Sequence, residues 1–549
     1  MITSKYITAI TAVLLCITLV VCGFIAYAAD NLEAARITEY QKRLFGDEVI
    51  TLDIQVDSDE WQTMLDHATD KEWIVGDLII NGARFSAIGI RTKGNSSLSQ
   101  TTTSNSDRYS LQFKANHYIK GQTFYGLDTF CINNLMGDAT YMKDYLSYDI
   151  MKFIGVATPL TNYASVTVNG EDYGFFLALE RYDQSFLDRT YGTSDGQLYN
   201  VKIQMGQRGD FEDMWQNIIN EMPNRQQGNA RLPGGQQGGI GTSRQSGGGS
   251  LIYTDDDPGS YSAIFDNAIF KNNSTGDQQR VIEALKNLKD GTDLEKYFDV
   301  DAILRYFAAH TVVVNLDSYI SNMQQNYYLY EHDGKITILP WDYGLAFGGF
   351  QSSSASSVVN FPIDTPINGV SMEDRPLLSK LLEIDEFLER YHFYLQQIVE
   401  GYFESGLFES TVTSLDAKIN QYVKGDVSAY YTYEQYESAL PVLIELGRLR
   451  AESIRGQLNG TIPSTSSGQS ADPSLLTDAS GLNLAALGSM MGMGGGMGQN
   501  GQQNNQNQPG GWTDRQDDLP TIPDRRPGGQ TNTPWDGGIN PPDSSVQQE

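Results

Sequence analysis

The sequence predicts an α+β protein in which a β-rich part, residues 49–182, precedes a helical part, residues 183–459. In the first part, short runs of alternating, β-branched and aromatic residues are separated by turn signals, as is typical of strands. In the second part, longer segments show apolar residues at helical spacing. The composition changes near residue 460, beyond which Gly, Gln, Asn, Pro and Ser prevail. Residues 460–549 are therefore predicted to form a disordered tail.

The chain begins with an apolar segment. Residues 6–29 contain no charged residue, and about 20 apolar residues are enough to cross a bilayer. Because a small-x-small cleavage pattern stands at 26–28, residues 1–30 are predicted to be either a transmembrane anchor or a removed signal peptide. Either way the bulk of the chain is expected outside the cell, membrane-anchored or secreted. Residues 31–48 are predicted to be a charged helical stalk.

Charge and cysteine content narrow the classes of function. The chain has 38 basic and 68 acidic residues, for a net charge of −30, which argues against nucleic acid as a partner. Two of the three cysteines lie in the apolar segment, so Cys131 stands alone in the exported part. Neither an intramolecular disulfide nor a cysteine-based zinc site is expected there.

Within the β-rich part, "VITLDIQV" at 49–56 alternates, an Asn-Gly pair at 81–82 predicts a hairpin, and further strands run to "YGFFLALE" at 173–180. One clear helix, "ATYMKDYLSYDIMKFIG" at 139–155, ends at a glycine.

The helical part contains a Gly/Gln/Arg-rich insertion at 203–250, which is predicted to be a disordered surface loop. Helix-type spacing then recurs at 275–290, 299–313, 374–403, 407–423 and 433–458.

Residues 315–349, "NLDSYISNMQQNYYLYEHDGKITILPWDYGLAFGG", contain the candidate metal-binding and catalytic side chains. NYYLY and KITIL read as strands, and the His-Asp-Gly between them predicts a hairpin turn. A hairpin brings its two ends together, so the loop with Asp317 and Asn322 should lie near Asp342. Three side chains with oxygen donors at one end of a hairpin predict a divalent-metal site.

The order of these residues matches that in protein kinases, which carry D-x-x-x-x-N, a short hairpin and a second Asp. In kinases the first Asp orients or deprotonates the acceptor hydroxyl, while the Asn and the second Asp hold Mg²⁺. Here no His-Arg precedes Asp317 and no Phe-Gly follows Asp342. The alternative is that Asp317 and Asn322 cap a turn and that Asp342 pairs with a basic residue.

This stretch, with "YMKDYLSYDIMKFIGV", "YASVTVNGEDYGFFLALE" and "RTKGNSS", resembles the spore coat protein H (CotH) kinase family over about residues 49–458. The resemblance implies an atypical protein-kinase-like fold with a β-rich N-lobe and a helical C-lobe, and ATP and Mg²⁺ or Mn²⁺ as cofactors. It implies Asp317 as catalytic acid/base and Asp342 as metal ligand, with Asn322 as the second ligand and Asn326 as its rival.

Two positions depart from the family pattern. Many members have an acid where this chain has Gly344, and many have an aromatic residue, expected to cover adenine, where it has Ile336. These departures bear on the second metal ion and on nucleotide affinity.

Five residues are candidates for binding the cofactor. Lys114 in "LQFK" has the form of a kinase phosphate lysine, with Asp144 as its acidic partner. Arg91 and Lys93 in "RTKGNSS" are rivals, since a Gly-containing turn after a strand also offers backbone N–H groups to phosphate. Glu180 ends a strand at the lobe junction, where an adenine would sit. Each of these could instead be a solvated or ion-paired structural residue.

The leading hypothesis is therefore an exported, CotH-like protein kinase that phosphorylates Ser or Thr of a cell-surface or coat protein. An alternative is a catalytically degenerate, kinase-like surface adhesion or assembly protein. A third hypothesis takes Asp317 and Asp342 as the acid pair of a glycoside hydrolase, which requires carboxylates roughly 5–10 Å apart, but it assigns no role to Asn322.

Overall fold

The computed structural model describes residues 38–104, 106–202 and 247–489, which form a mixture of sheets and helices. The predicted N-terminal apolar segment lies outside these residues, as does most of the predicted insertion. Within the described ranges, none of the helices has the length and apolar character needed to cross a bilayer.

Seven strands of the β-rich part close into a barrel, in the order β1-β2-β3-β4-β5-β7-β6. Their bounds are β1 Ile50–Gln55, β2 Ile74–Ile80, β3 Ala83–Thr92, β4 Leu111–Lys114, β5 Thr129–Asn133, β6 Thr161–Val168 and β7 Glu171–Glu180. Strand β1 closes the barrel, because it pairs antiparallel with β2 and parallel with β6.

Alternation along the strands explains the barrel. In β1 the side chains of Ile50, Leu52 and Ile54 are buried while those between them are not, as expected where successive side chains point to opposite faces. Strand β5 is buried at every position, because its outer face is also covered. Cys131 on that face belongs to the core shared with the helical part.

Among the described residues, four helices accompany the barrel: α1 Glu39–Leu44, α2 Ser58–Asp66, α3 Ser96–Thr103 and α4 Lys143–Phe153. The sequence predicts only α4 as a helix of this part, so the expectation of a single helix is wrong. The stalk prediction is also wrong for α1, because Tyr40 and Leu44 are buried in the barrel core. These two apolar anchors are spaced four residues apart, on one face of the helix.

The helical part follows. Its helices are α5 Gln184–Tyr191, α6 Ser262–Phe265, α7 Thr275–Asp290, α8 Leu294–Tyr297, α9 Val300–Val313, α10 Ala355–Val359, α11 Pro376–Leu382, α12 Asp385–Ile398, α13 Leu407–Lys424, α14 Tyr433–Leu458 and α15 Ser466–Ala471. A π-helical turn, Val399–Glu404, extends α12. The five helical segments predicted beyond residue 270 are therefore observed, the third of them as two helices and a π turn.

The predicted hairpin is present. Strands β9 (Tyr327–His332) and β10 (Lys335–Pro340) pair antiparallel, and β8 (Gln197–Val201) joins β9 at its other edge. Asp333 and Gly334 at the turn both have positive φ, of 52° and 79°, as a type I′ turn requires. The hairpin and its turn are therefore where the sequence predicts them, with His332 paired to Lys335 across the turn.

Two segments that the sequence predicts as disordered are partly ordered where they meet the fold. The tail is predicted from residue 460, yet residues 460–489 pack on the rest of the chain: Leu487 is buried, and its carbonyl accepts a hydrogen bond from the N–H of Ala139 at 3.1 Å. The insertion is predicted to end at residue 250, yet the carbonyl of Gly249 accepts a 2.8 Å hydrogen bond from the Tyr327 hydroxyl. Both predicted boundaries are therefore wrong, because carbonyl groups of the two segments accept hydrogen bonds from buried donors of the fold.

Two hydrophobic clusters hold the described chain together. One fills the barrel. The other joins the helices, the three-stranded sheet and the outer face of β5 and β7, and α4 packs against α9 within it. A β-rich part and a helical part are thus observed, and the kinase-like arrangement of two lobes stays a prediction.

Candidate active site

Asp317 lies in the loop that follows α9. Its carboxylate accepts hydrogen bonds from two neutral amides, Gln325 at 2.8 Å and Asn326 at 2.9 Å, and Asn326 also donates to the carbonyl of Asp317 at 2.8 Å. Burial is the main cause that raises the pKa of Asp317, to about 6, and the charge of Asp342 adds to it, while the two amide bonds act in the opposite sense. The result is a carboxylate that changes protonation close to neutral pH.

Asp342 follows β10 in an uncommon conformation. Its φ is +60°, in the left-handed region, and its side chain is exposed although both neighbours are buried. Two hydrogen bonds of its backbone maintain this conformation: its N–H donates to the Tyr148 hydroxyl and its carbonyl accepts from the Asn315 amide, each at 3.0 Å. A strained residue over-determined by its surroundings is common at functional sites.

The two acids converge as the hairpin predicts. Asn315 is fully buried and bridges their backbones, because its amide oxygen also accepts the N–H of Asp317 at 3.2 Å. The charge of Asp342 raises the pKa of Asp317 and also that of Asp144. Three carboxylates thus share one electrostatic neighbourhood, which favours a cation.

A buried histidine joins the residues that follow each acid. His310 contacts the Tyr343 hydroxyl through Nδ1 at 2.7 Å and the Ser318 hydroxyl through Nε2 at 3.0 Å. Because Ser318 donates its own proton to the carbonyl of Asn315, Nε2 must carry the hydrogen and Nδ1 must accept from Tyr343. Burial lowers the pKa of His310 to about 3, so the ring is neutral and positions the two loops.

Asp144, on α4, faces the loop of Asp342. Its carboxylate accepts the N–H of Tyr343 at 2.6 Å and the amide of Asn133 at 3.1 Å. Burial first, and then the charge of Asp342, raises the pKa of Asp144 to about 7. The Asn133 amide oxygen in turn accepts from Lys93, whose charge acts against that rise. Lys93 is therefore the lysine whose charge affects the pKa of Asp144.

The predicted partner of Asp144 lies elsewhere. Lys114 is half-buried, and the groups that feel its charge are His117 and Asp128. The pairing of β3 with β4 explains this, since Lys114 stands opposite Gly89, at a distance from the end of β3 that leads to Lys93. The structure does not bring Lys114 and Asp144 together.

Glu180 and Asn322 form their hydrogen bonds with residues other than the acid pair. Glu180 is fully buried, with its carboxylate bound by Arg189 at 2.6 Å, by the Tyr40 hydroxyl at 2.8 Å and by the N–H of Leu160 at 3.0 Å. It is thus a satisfied structural ion pair, not a group that faces a ligand. Asn322 is exposed and accepts a 3.3 Å hydrogen bond from Gln351.

The remaining candidate, Arg91, lies on β3. Its guanidinium donates two hydrogen bonds to the Gln112 amide oxygen, at 2.9 and 3.2 Å, and stacks over Trp73 with Cζ 4.4 Å from the ring centroid. It forms no ion pair with a carboxylate of the described residues.

The donor set fits a Mg²⁺ ion shared with a phosphate ligand. No group of three or more His, Cys, Asp and Glu side chains within the described ranges is arranged to hold a metal alone. Mg²⁺ ordinarily takes one or two carboxylates and completes its shell with water and substrate phosphate. Asp342 supplies an exposed carboxylate, and the amide oxygen of Asn326 has no hydrogen-bond partner among the described residues, because the contacts of that side chain use its nitrogen.

The chain matches the family model described as CotH kinase protein over residues 90–454, well over half of its length. It belongs to the CotH kinase protein family. The chain is also similar to the Inner spore coat protein H of Bacillus subtilis (strain 168), with 21% identity over 346 residues, which cover 62% of this chain and 82% of the relative. The resemblance seen in the sequence is thus confirmed.

The two departures from the CotH kinase pattern have different surroundings. A Cβ at Gly344 would lie 3.5 Å from the Asp144 carboxylate, so an acid there would stand directly beside an acid that is already present. Ile336 is buried, and its carbonyl accepts the N–H of Asp299 inside the helical part. A side chain at that position packs in the core and does not cover a ligand.

Several residues that shape this candidate site are not among the sequence predictions: Gln325, Asn315, Asn133, His310 and Tyr148. One signal is available, because the Gln-Asn pair directly before "YYLY" lies at the entry of the hairpin and so close to its other end. For the other residues no local pattern exists, since each reaches the site by packing between distant segments.

Proposed function

We propose that this CotH kinase family member transfers phosphate from ATP to a Ser or Thr hydroxyl of a coat or surface protein. The observation that carries the proposal is the convergence of Asp317 and Asp342 through the hairpin, with Asp317 held by amides and not neutralised by a cation of the described residues. The relative in Bacillus subtilis is named an inner spore coat protein, which supports the coat or surface as the location.

Asp317 would orient the acceptor hydroxyl and take its proton. Gln325 and Asn326 bind one carboxylate oxygen each, so the plane of the carboxylate is fixed. A base works best when its pKa lies near the working pH, and the value of about 6 meets this condition. A glycoside hydrolase, by contrast, gives no role to the two amides.

Asp342 and Asn326 would hold the divalent cation, with Asn326 replacing Asn322 as the second ligand. When bound, Mg²⁺ or Mn²⁺ would neutralise charge on the phosphate that is transferred. The link through Asn315 keeps the backbones of the two acids in fixed register. Positioning and charge are the main contributions to catalysis in phosphoryl transfer, and these are what the site provides.

The test is transfer of labelled phosphate from ATP to casein and to the chain itself, with Mg²⁺ or Mn²⁺. Asp317→Asn and Asp342→Asn should each lower the rate by a factor of about 100 or more. Asp333→Asn is the matched control, since that acid is exposed at the far turn of the same hairpin. Transfer that survives Asp317→Asn at the wild-type rate would overturn the proposal.

A second candidate is a kinase-like protein that binds nucleotide for assembly without transfer. Gly344 favours it, because this chain lacks an acid that many family members carry at this position. Stabilisation by Mg-ATP against heat, lost in Asp342→Asn and unaccompanied by any transfer, would select this candidate.

A further inference from the structure

The last described segment of the chain packs on the elements that shape the acid pair. Residues 477–488, which we call the C-terminal strap, follow α15 and bind the start of α4 and the loop after Asp342. The family model matches residues 90–454, so the strap lies beyond the matched stretch. The family match therefore does not account for the contacts of the strap.

One end of the strap holds the first residue of α4. The carbonyl of Gly488 accepts a hydrogen bond from the ammonium of Lys143 at 3.0 Å, and the carbonyl of Gly137 accepts a second one at 2.9 Å. Lys143 is fully buried. Burial lowers its pKa to about 8 and the charge of Asp138 opposes this change, so the ammonium is charged at neutral pH. Departure of the strap would take one of these two acceptors from a buried cation, which is costly.

Gly488 is in a conformation and at a distance that favour glycine. Its φ is +76°, in the left-handed region. A Cβ at this position would lie 2.6 Å from the hydroxyl of Tyr431 and 2.9 Å from the backbone nitrogen of Ala139. Any larger residue would therefore push the strap away from α4.

The rest of the strap contacts the loop that follows Asp342. The N–H of Thr477 donates to the side-chain oxygen of Asn360, and the side-chain NH₂ of Asn360 donates to the carbonyl of Thr477, each at 3.0 Å. A Cβ at Gly348 would lie 3.0 Å from Cδ2 of Leu484, so this leucine lies directly against the loop. The strap thus binds α4 and the Asp342 loop at the same time.

Helix α4 connects the strap to Asp342. Lys143 is followed by Asp144 and, one turn later, by Tyr148. These two side chains accept the backbone N–H groups of Tyr343 and Asp342. Because the φ of Asp342 is +60°, its conformation depends on such support from the surroundings. A displaced start of α4 would weaken both hydrogen bonds.

The strap is held by few buried side chains. Ala479 and Leu487 are buried, and Leu482 and Leu484 are partly buried against the same core. Segments with few buried apolar contacts open at a low free energy. The barrel has a separate core, so release of the strap leaves the barrel folded.

We propose that the C-terminal strap is a positioning element of the active site, which holds the start of α4 and so keeps Asp342 in its left-handed conformation. When the strap is released, the start of α4 moves and the two hydrogen bonds to the Asp342 loop are loosened. The consequence for cation binding rests on the proposed function, whereas the positioning of the loop does not. By reciprocity, a cation bound at Asp342 would favour the docked strap.

Hydrogen exchange of the full chain in EDTA, measured by mass spectrometry, tests the positioning without a cation. Gly488→Ala should release the strap and accelerate exchange in residues 341–346 at least about tenfold. Gly460→Ala is the matched control, because this glycine also has a φ of +76° but a Cβ there meets no atom within 4 Å. Residues 50–55 of β1 should exchange at the wild-type rate in both variants.

Two shortened chains provide a second test. A chain ended after residue 476 lacks the strap and should reproduce the exchange of Gly488→Ala, while a chain ended after residue 489 keeps the strap and should resemble wild type. Wild-type exchange at 341–346 in the shorter chain would overturn the proposal. Equal acceleration at 341–346 and at 50–55 would also overturn it, since the strap would then support global stability. Identical exchange in the two shortened chains would assign the effect to residues 490–549 and overturn it as well.

Mn²⁺ binding to the full chain, measured by electron paramagnetic resonance, separates this inference from the proposed function. Gly488→Ala should bind Mn²⁺ at least about tenfold more weakly than Gly460→Ala, and Mn²⁺ should slow exchange within the strap of wild type. Equal Mn²⁺ affinities of these two variants, in a chain whose binding is lost in Asp342→Asn, would overturn the strap and leave the cation site intact. Wild-type binding that Asp342→Asn does not change would overturn the cation site, and exchange at 341–346 would still decide the strap.

Discussion

Replacing Asp144 with Asn is expected to stabilise the metal-free protein at pH 8 although it removes a native side chain. Asp144 is only 2% exposed, and burial together with the charge of Asp342 raises its pKa to about 7. At pH 8 the group is ionised in a site that disfavours its charge. The variant removes this charge and keeps an oxygen that can accept the N–H of Tyr343.

The size of the effect follows from the pKa shift. One unit corresponds to about 1.36 kcal/mol, so a rise from 3.8 to about 7 makes ionised Asp144 cost about 4 kcal/mol. Because the folded state keeps a proton that the unfolded state releases, stability is lost as the pH rises from 3.8 through 7. In Asp144→Asn the new NH₂ group would face the NH₂ group of Asn133. The hydrogen bond that Asn133 donates to Asp144 is then lost, at a cost of about 1 kcal/mol. The net gain is about 3 kcal/mol at pH 8 and about 1 kcal/mol at pH 5.

Urea unfolding of the full chain in EDTA, monitored by tryptophan fluorescence at pH 5 and pH 8, measures both values. Asp333→Asn serves as control, because its side chain is 92% exposed and no pH-dependent difference is expected. A variant less stable than wild type at pH 8, or a difference that is the same at both pH values, would refute the assignment of a raised pKa to Asp144.

Three further predictions concern other parts of the site. Since the pKa of Asp317 is raised to about 6 and its carboxylate must be ionised to accept a proton, kcat/KM for transfer should fall about tenfold per pH unit below pH 6; a flat profile from pH 5 to 7 would contradict this role. His310→Phe should lower the free energy of unfolding by about 2–4 kcal/mol, because two buried hydroxyls lose their shared partner. Because the pKa of His310 is lowered from 6.5 to about 3, the unfolded wild type takes up a proton at pH 5.5 that the folded state does not, so this loss should be about 1 kcal/mol smaller at pH 5.5 than at pH 7.5 by urea unfolding. A chain ended after residue 459 removes the carbonyl that Lys143 donates to at 3.0 Å, so amide exchange in residues 139–155 should accelerate, and unchanged exchange would count against the packing of the C-terminal segment.

The sequence predicts those features that depend on neighbours in the chain. The hairpin follows from two short β-type runs and an Asp-Gly turn, and its geometry then brings Asp317 near Asp342. The choice between Lys114 and Lys93 depends instead on strand register. Lys114 has the expected local motif, but the pairing of β3, β4 and β5 places Lys93 beside Asn133 and so beside Asp144.

Composition is a poor guide at the edges of the fold for a related reason. The average over residues 460–549 is dominated by its Gly/Gln/Asn-rich end, which hides isolated apolar residues such as Ile462 and Leu487 that are buried. Further contacts order this segment: the carbonyl of Gly488 accepts from Lys143, and Thr477 exchanges two hydrogen bonds with the side chain of Asn360. No window average detects such a contact, because the partners are separated by 345 positions in the chain.

Helix α4 shows why the acid at position 144 is not a stabilising element of the free protein. Tyr148 and Asp144 lie one turn apart on this helix and bind the backbone N–H groups of Asp342 and Tyr343. An amide oxygen would accept the N–H of Tyr343 equally well and without the cost of about 4 kcal/mol that the ionised carboxylate carries. A charge that destabilises the free protein is expected at a functional site, where it interacts favourably with a bound cation. A divalent cation at Asp342 would lower the pKa of Asp144 and convert that cost into binding free energy. The negative charge of Asp144 thus supports the same cation that the proposed transfer requires.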